Sequence, residues 1–422
     1  MKLGVIADDF TGAVDIAGFL VSGGMRTLMC AKPVVTRQLP ETDAIVMSLK
    51  IRSIPSSDAV AEALSALAFL KEAGCDRFYY KYCSTFDSTE KGNIGPISDA
   101  LRKALKLSST IICPSLPVNG RTVYHGYLFV GDQLLSDSPM RHHPLNPMKI
   151  SKLADLLSMQ SPASNDHVYY DVVRKGSTAI AERIEHFEAE GVNNIIVDVV
   201  KDEDLVAIAK ASEGMKLVTG GSGLAQGIAA VRAEQLGSGG EAKPAFFPKR
   251  EGAVVIAGSC SAMMQKQVAY YKEKAASLSI DEEACVGDPS YPETLARWVL
   301  AHQGNPLAPM VFATRSPEEL QHNREQFKGV DLAGIIEQVF GKMTAILARE
   351  GVKTFIVGGG ETSGVIASTL GVDAFLIGEQ IDPGVSWVQS LDKRYQLVLK
   401  SGNFGSVSFL KKAQEMYSDA GN

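Results

Sequence analysis

Short apolar runs alternate with helical patterns along this 422-residue chain. In the first half, residues 3–7, 27–31, 44–48, 78–81, 110–113, 168–171, 195–199 and 217–219 read as strands, and 58–72, 177–190 and 202–211 read as helices. The strand runs are apolar at consecutive positions rather than at alternate ones. Such a strand must be covered on both faces, and helices placed between successive strands provide that cover, which predicts parallel sheets. Residues 123–138, VYHGYLFVGDQLLSDS, break the pattern and predict a hairpin or arm.

The alternation restarts after residues 236–252, LGSGGEAKPAFFPKREG, a Gly- and Pro-rich stretch with the character of a linker. Further strands are predicted at 253–257, 278–281, 309–313, 354–357, 374–377 and 396–399. The fold class expected is α/β: two α/β domains with mostly parallel sheets and a cleft between them, over 1–245 and 250–422. A hydrophobic content of 45% is enough for two sizeable cores. Ligands of such sheets sit at the carboxyl ends of the strands, so the residues there carry the functional reading.

In the second half, three strand ends are rich in Gly and Ser. TFIVGGGETSG places Gly358, Gly359 and Gly360 before Glu361, Thr362 and Ser363; VVIAGSCS places Gly258, Ser259 and Ser261; LVLKSGNFGS places Lys400, Gly402, Asn403 and Gly405. Free backbone N–H groups and the helix dipole at such turns favour phosphate. Each turn alone reads equally well as tight helix–sheet packing; three together favour a nucleotide with several phosphates. The Walker pattern is absent, and Ser363 stands where GxGxxG requires its third glycine.

The first half gathers charge instead. The strand 3–7 ends at Asp8 and Asp9, Arg52 follows the strand 44–48, and YYKYCSTFDSTEKGN supplies Lys81, Ser84, Thr85, Asp87, Ser88, Lys91 and Asn93. Acids for hydroxyls and bases for a carboxylate suit a small polyhydroxylated acid. Either aspartate also serves as a plain helix N-cap, and alternation along a strand turns only one of them toward a ligand. Lys81 has Tyr79, Tyr80 and Tyr82 around it, which argues against a solvated surface role. His142 and His143 are adjacent, with no third ligand at useful spacing, and His125 is similar; both read as loop residues. A Gly/Ser turn, TGGSG, opens another helix at 220–223.

Net charge is −6 with no basic block, which argues against nucleic acid and anionic membrane surfaces as partners. No apolar stretch is long enough to cross a bilayer, and no secretion signal leads the chain. The six cysteines form no CxxC pair and no zinc spacing. A cytoplasmic protein with reduced thiols is expected, and self-association into a homo-oligomer is compatible with it.

Together IADDFTG, YKYCSTFDSTEKGNIGP, NGRTVYHGYLFVGDQLLSDSPMRHHPLNPM, GGETSG and LKSGNFG resemble the four-carbon acid sugar kinase family, in its 3-oxo-tetronate kinase branch. The motifs occur in order over nearly the whole chain. The resemblance implies a sugar-acid-binding first domain, an ATP-binding second domain, and transfer of the γ-phosphoryl group to the 4-hydroxyl of a C4 acid. It carries ATP contacts to Ser259, Gly358, Gly359, Gly360, Glu361, Gly402 and Asn403, and substrate contacts to Asp8, Asp9, Arg52, Lys81 and Asp87. Many relatives have Arg where Lys91 stands, and Lys lacks the bidentate fork.

Phosphoryl transfer needs positioning and charge neutralisation, so Mg2+ held by phosphates, water and at most one carboxylate is expected. Asp8 or Asp9 is the expected acceptor of the hydroxyl proton, with Arg52 and Lys81 on the substrate carboxylate. Alternatives are a threonate or erythronate kinase, a non-catalytic sugar-acid sensor, which would release no ADP, and a nucleotide-dependent dehydrogenase, against which the missing GxGxxG counts.

Overall fold

The computed structural model describes residues 1–33, 39–142, 146–236, 246, 248–249, 251–382 and 384–417. The chain divides into two compact units, Met1–Lys243 and Pro244–Asn422. Most of the 236–252 stretch, and His143, lie outside the described residues.

The first unit holds β1 (Leu3–Ala7), β2 (Thr27–Cys30), β3 (Ala44–Ser48), β4 (Arg77–Lys81), β5 (Thr110–Cys113), β6 (Arg121–Tyr124), β7 (Tyr127–Val130), β8 (Gln133–Leu134), β9 (Asn165–Val168), β10 (Asn194–Val197) and β11 (Leu217–Gly220). Its main strands lie in the order β2-β3-β1-β4-β11-β5-β10-β9, all parallel. Every residue of β1 to β5, β10 and β11 is buried, as consecutive apolar runs demand. β1 pairs with β3 on one side and β4 on the other, so the order reverses at β1. Its carboxyl end is a topological switch point, and Asp8 and Asp9 leave from it.

Residues 123–138 contain the predicted hairpin. β6, β7 and β8 make a separate antiparallel sheet. His125 and Gly126 join β6 to β7 with φ of 49° and 74°. Two positive values define a type I′ turn, whose twist matches the flanking strands.

The second unit holds β12 (Ala253–Ala257), β13 (Ser277–Ser279), β14 (Met310–Phe312), β15 (Thr354–Gly358), β16 (Ala374–Asp382), β17 (Val385–Ser390) and β18 (Gln396–Lys400). Its strands lie in the order β13-β14-β12-β15-β18-β17-β16, parallel through β18 and antiparallel across β18-β17-β16. The switch point here is β12, between β14 and β15. Core residues Val255, Ile356, Trp387, Val398 and Phe409 pack on one face of this sheet.

Two sequence expectations change. The strand expected at 168–171 lies earlier, at Asn165–Val168, and Tyr170–Val173 is a helix. The buried Asp198 carboxylate accepts the Tyr170 N–H at 3.0 Å, along with those of His125 (2.7 Å) and Gly126 (2.9 Å), and so draws the chain out of the ladder. β17, VSWVQS, was not expected, because its apolar residues are interrupted by the buried Ser386. Trp387 anchors it, fully buried, with its indole N–H donating to the Ala413 carbonyl at 3.2 Å.

Candidate active site

In the first unit, the ends of β1, β3 and β4 bring the expected residues together. Asp8 is only 2% exposed and accepts a bidentate pair from Arg52, Nε to Oδ2 at 2.8 Å and Nη2 to Oδ1 at 2.9 Å. Arg52 Nη1 also lies 2.9 Å from Asp9 Oδ2 and 3.6 Å from Asp87 Oδ2. One guanidinium thus ties three carboxylates. Burial works to lower its basicity, but Asp8 and Asp9 outweigh that and hold it well above its ordinary value. Burial raises the Asp8 carboxyl, against the pull of Arg52.

Asp9 differs from Asp8. It is the N-cap of the helix Phe10–Ser22, its Oδ1 accepting the Gly12 N–H at 2.7 Å, and its side chain is 31% exposed. The capping role and the ion pair therefore fall on one residue, and its carboxylate is the one of the pair that solvent reaches. Lys81 is buried and donates from Nζ to the Tyr82 carbonyl at 2.8 Å. A Cβ added to Gly12 would lie 2.9 Å from that Nζ, so the ammonium rests against the first helical turn beside Asp9.

Arg52, expected on a substrate carboxylate, meets three protein acids here: Asp8, Asp9 and Asp87. Sequence reasoning also missed Asp15. It is buried in the helix Phe10–Ser22; Oδ2 accepts from the Ser222 hydroxyl, and Oδ1 has no hydrogen-bond partner among the described residues. Burial pushes its carboxyl up, and Lys81 opposes this. The signal was an acid inside an otherwise apolar helix.

Asn93, at the end of the DSTEKGN stretch, holds the Arg52 loop. Its Nδ2 donates to the carbonyls of Ile51 (2.8 Å), Ile54 (2.9 Å) and Arg52 (3.4 Å). Between Lys81 and Asn93, buried Phe86 takes φ of 50°, an uncommon value for a bulky side chain. Lys91 is exposed and outside this cluster.

In the second unit, the three Gly/Ser turns meet. Gly258 N and Ser259 N both donate to the Gly358 carbonyl (2.9 and 3.2 Å), and Gly359 N donates to the Lys400 carbonyl at 2.9 Å. Gly359 has φ of 137°, open to glycine alone in practice, and caps the helix Gly360–Thr369. A Cβ on Gly402 would overlap Ser259 Oγ, so the third turn lies directly on the first. Gly360, Glu361 and Asn403 are exposed at the mouth of this cradle.

Lys400 carries the positive charge. It is 2% exposed; Nζ donates to the carbonyls of Ser401 (2.8 Å) and Gly402 (3.4 Å) and sits 5.6 Å from the centre of the Phe409 ring. Burial alone pushes its ammonium down to about 7. Among the described residues no carboxylate is paired with it.

An acid-rich site on one unit and a glycine cradle on the other have counterparts in known proteins. Residues 3–228 match the family model for a sugar-binding N-terminal domain, and residues 254–410 that for a nucleotide-binding C-terminal domain. The 3-oxo-tetronate kinase of Brucella melitensis is 45% identical over 423 residues, covering 100% of this chain and 97% of that protein. The chain belongs to the 3-oxo-tetronate kinase branch of the four-carbon acid sugar kinase family. The Haemophilus influenzae 3-oxo-tetronate kinase is 46% identical over 98% of this chain and 100% of its own. A crystal structure from Salmonella typhimurium, described as a putative tRNA synthase, superposes with a TM-score of 0.92 at 43% identity, covering 99% of this chain and 100% of that one. Among the described residues of this family member, no helix is long and apolar enough to cross a membrane.

Proposed function

We propose that this chain is an ATP-dependent kinase that phosphorylates the 4-hydroxyl of 3-oxo-tetronate, giving 3-oxo-tetronate 4-phosphate and ADP. The observation that carries this reading is the pairing, in one chain, of a partly exposed carboxylate beside Arg52 and the buried Lys81 with a glycine cradle around a buried lysine. The names of its full-length relatives support it.

Asp9 is the group we assign to the acceptor hydroxyl. Its Oδ2 is fixed by Arg52 and its Oδ1 by the helix N-terminus, so little reorganisation is needed when it takes the proton. Asp8 and Arg52 act as its rigid support. Lys81, beside Asp9, offsets charge as the acid substrate arrives. As the 4-oxygen bonds to the γ-phosphorus, the bond from phosphorus to the bridging oxygen breaks; ADP leaves and the hydroxyl proton passes to Asp9. The first turn of the helix Gly360–Thr369 offers its backbone N–H groups to the phosphates, and the turns at Ser259, Gly358–Gly359 and Gly402 shape the cradle around it.

Mg2+ enters as part of the MgATP substrate. No group of three or more His, Cys, Asp or Glu side chains among the described residues is arranged to hold a metal ion. Carried by phosphate oxygens and water, the ion would neutralise charge during transfer.

The test is ADP release with MgATP across 3-oxo-tetronate, threonate and erythronate, with phosphorus NMR of the product. Release with the oxo acid and a 4-phosphate product is expected. Release only with threonate or erythronate would keep the kinase and discard the substrate. Binding of acid without ADP release would leave a sensor.

A further inference from the structure

Residues 401–408 join β18 to the helix Phe409–Glu415 and form the third turn of the glycine cradle. A connection of this kind has no ladder of its own, so its carbonyls must find donors elsewhere. The donor that serves most of them comes from the first turn's helix. Ser261 caps the helix Ala262–Lys272, and Gln267 stands in the middle of it, fully buried. Its Nε2 donates to the carbonyls of Phe404 (3.0 Å), Gly405 (3.2 Å) and Ser406 (2.9 Å).

Three carbonyls facing one amide fix its orientation, because only the NH2 end of a glutamine donates. Its Oε1 is left buried, with no hydrogen-bond partner among the described residues. An unpaired buried acceptor costs stability, so the local arrangement serves the turn at the expense of the amide. Asp382, the last residue of β16, holds the same turn at Ser406, with Oδ2 accepting its N–H (2.8 Å) and its hydroxyl (2.9 Å).

The turn held in this way places a charge. The carbonyls that accept Lys400 Nζ are those of Ser401 and Gly402, both in the turn. Gly402 lies directly on Ser259 Oγ. Gly405 takes φ of 82°, and a Cβ there would overlap the Phe409 ring, the ring beside the Lys400 ammonium. A shift at residues 404–406 would therefore move the ammonium and open the contact between the first and third turns. A cation aimed at a phosphoryl group is effective only when it is placed in advance.

We infer that Gln267 is a positioning residue for the nucleotide: by clamping the carbonyls of residues 404–406 it aims Lys400 and holds Gly402 against Ser259. This rests on the kinase reading above. Buried as it is, Gln267 acts on ATP only through the turn.

The experiment uses the full chain and compares wild type with Gln267→Met, Gln267→Asn and Gln414→Met. Gln414 is the matched control. It is also a buried amide of the second unit with three hydrogen bonds, to the Tyr271 hydroxyl, the Leu410 carbonyl and the Ala308 N–H (2.8 Å each), but it holds the chain just before β14. The readings are thermal unfolding, the Kd for ATP by calorimetry, and the KM for 3-oxo-tetronate. Gln267→Met and Gln414→Met should lose similar stability. Gln267→Met should weaken ATP about tenfold with the KM for the acid within about twofold, while Gln414→Met leaves both within about twofold. Gln267→Asn keeps a donor on a shorter arm and serves if Gln267→Met fails to fold; it should weaken ATP about threefold. ATP affinity unchanged in the Gln267 variants, an equal loss of it in Gln414→Met, or a parallel rise in the KM for the acid would each overturn the positioning role while leaving the kinase standing. Wild-type protein that binds no ATP would overturn both.

Discussion

The two candidate sites handle charge in opposite ways. In the first unit, Arg52 is fixed among Asp8, Asp9 and Asp87 before any ligand arrives. In the second, Lys400 is buried against two carbonyls and a ring, and Glu337 has one oxygen without a hydrogen bond among the described residues. A site for a small acid with hydroxyls must be pre-built, because each misaligned acceptor costs binding. A site for a polyphosphate can leave a cation without an anion, because the ligand brings several. The first site is held by its ion pairs; on the proposed function, the second would be completed by its ligand.

That contrast predicts opposite responses to removing the central cation. Arg52→Met strands the buried Asp8 carboxylate, and urea unfolding of the first unit should lose about 3–5 kcal/mol. A loss under about 1 kcal/mol would mean that the cluster is solvated like a surface pair. Asn93→Ala removes the donor to three carbonyls of the Arg52 loop and should cost about 1–3 kcal/mol, with the KM for the acid raised more than that for ATP.

Lys400→Met should do the reverse, stabilising the ligand-free protein while weakening ATP. The pH dependence fixes the sign. The unfolded lysine titrates at its ordinary 10.5 and the folded one at about 7, so between these values the unfolded chain binds more protons. Stability should therefore rise with pH through that window, and below about 7 the full cost of burying the ammonium is present. Thermal unfolding of the second unit as a function of pH should show this rise in wild type and not in Lys400→Met. Lys91→Arg is the smallest test. Lys91 is exposed, so the KM for the acid should move by no more than about twofold.

Much of the fold was legible in the sequence because strands buried on both faces show as consecutive apolar runs. Leu3–Ala7, Ala44–Ser48, Thr110–Cys113 and Ala253–Ala257 were readable end to end. The helix at Tyr170–Val173 was not, since the Asp198 carboxylate that starts it comes 28 residues later. The same division holds at the sites. Asp8, Arg52, Lys81 and the glycine turns lie at or close after strand ends, where a local pattern marks them. Asp15 and Glu337 are single acids within helices, and their significance comes from what tertiary packing places against them. A cavity beside Gly258 is walled mostly by residues 313–337, with no motif to announce them.

The central claim is that Asp9 acts on the acceptor hydroxyl and has no part in holding the nucleotide. The direct measurement is kcat with MgATP and 3-oxo-tetronate, together with the Kd for ATP, in Asp9→Asn. Asn caps a helix about as well as Asp, so the fold should survive. A fall in kcat of roughly 100-fold or more with the Kd for ATP unchanged is predicted. A near-wild-type kcat, or a loss confined to ATP binding, would contradict the account.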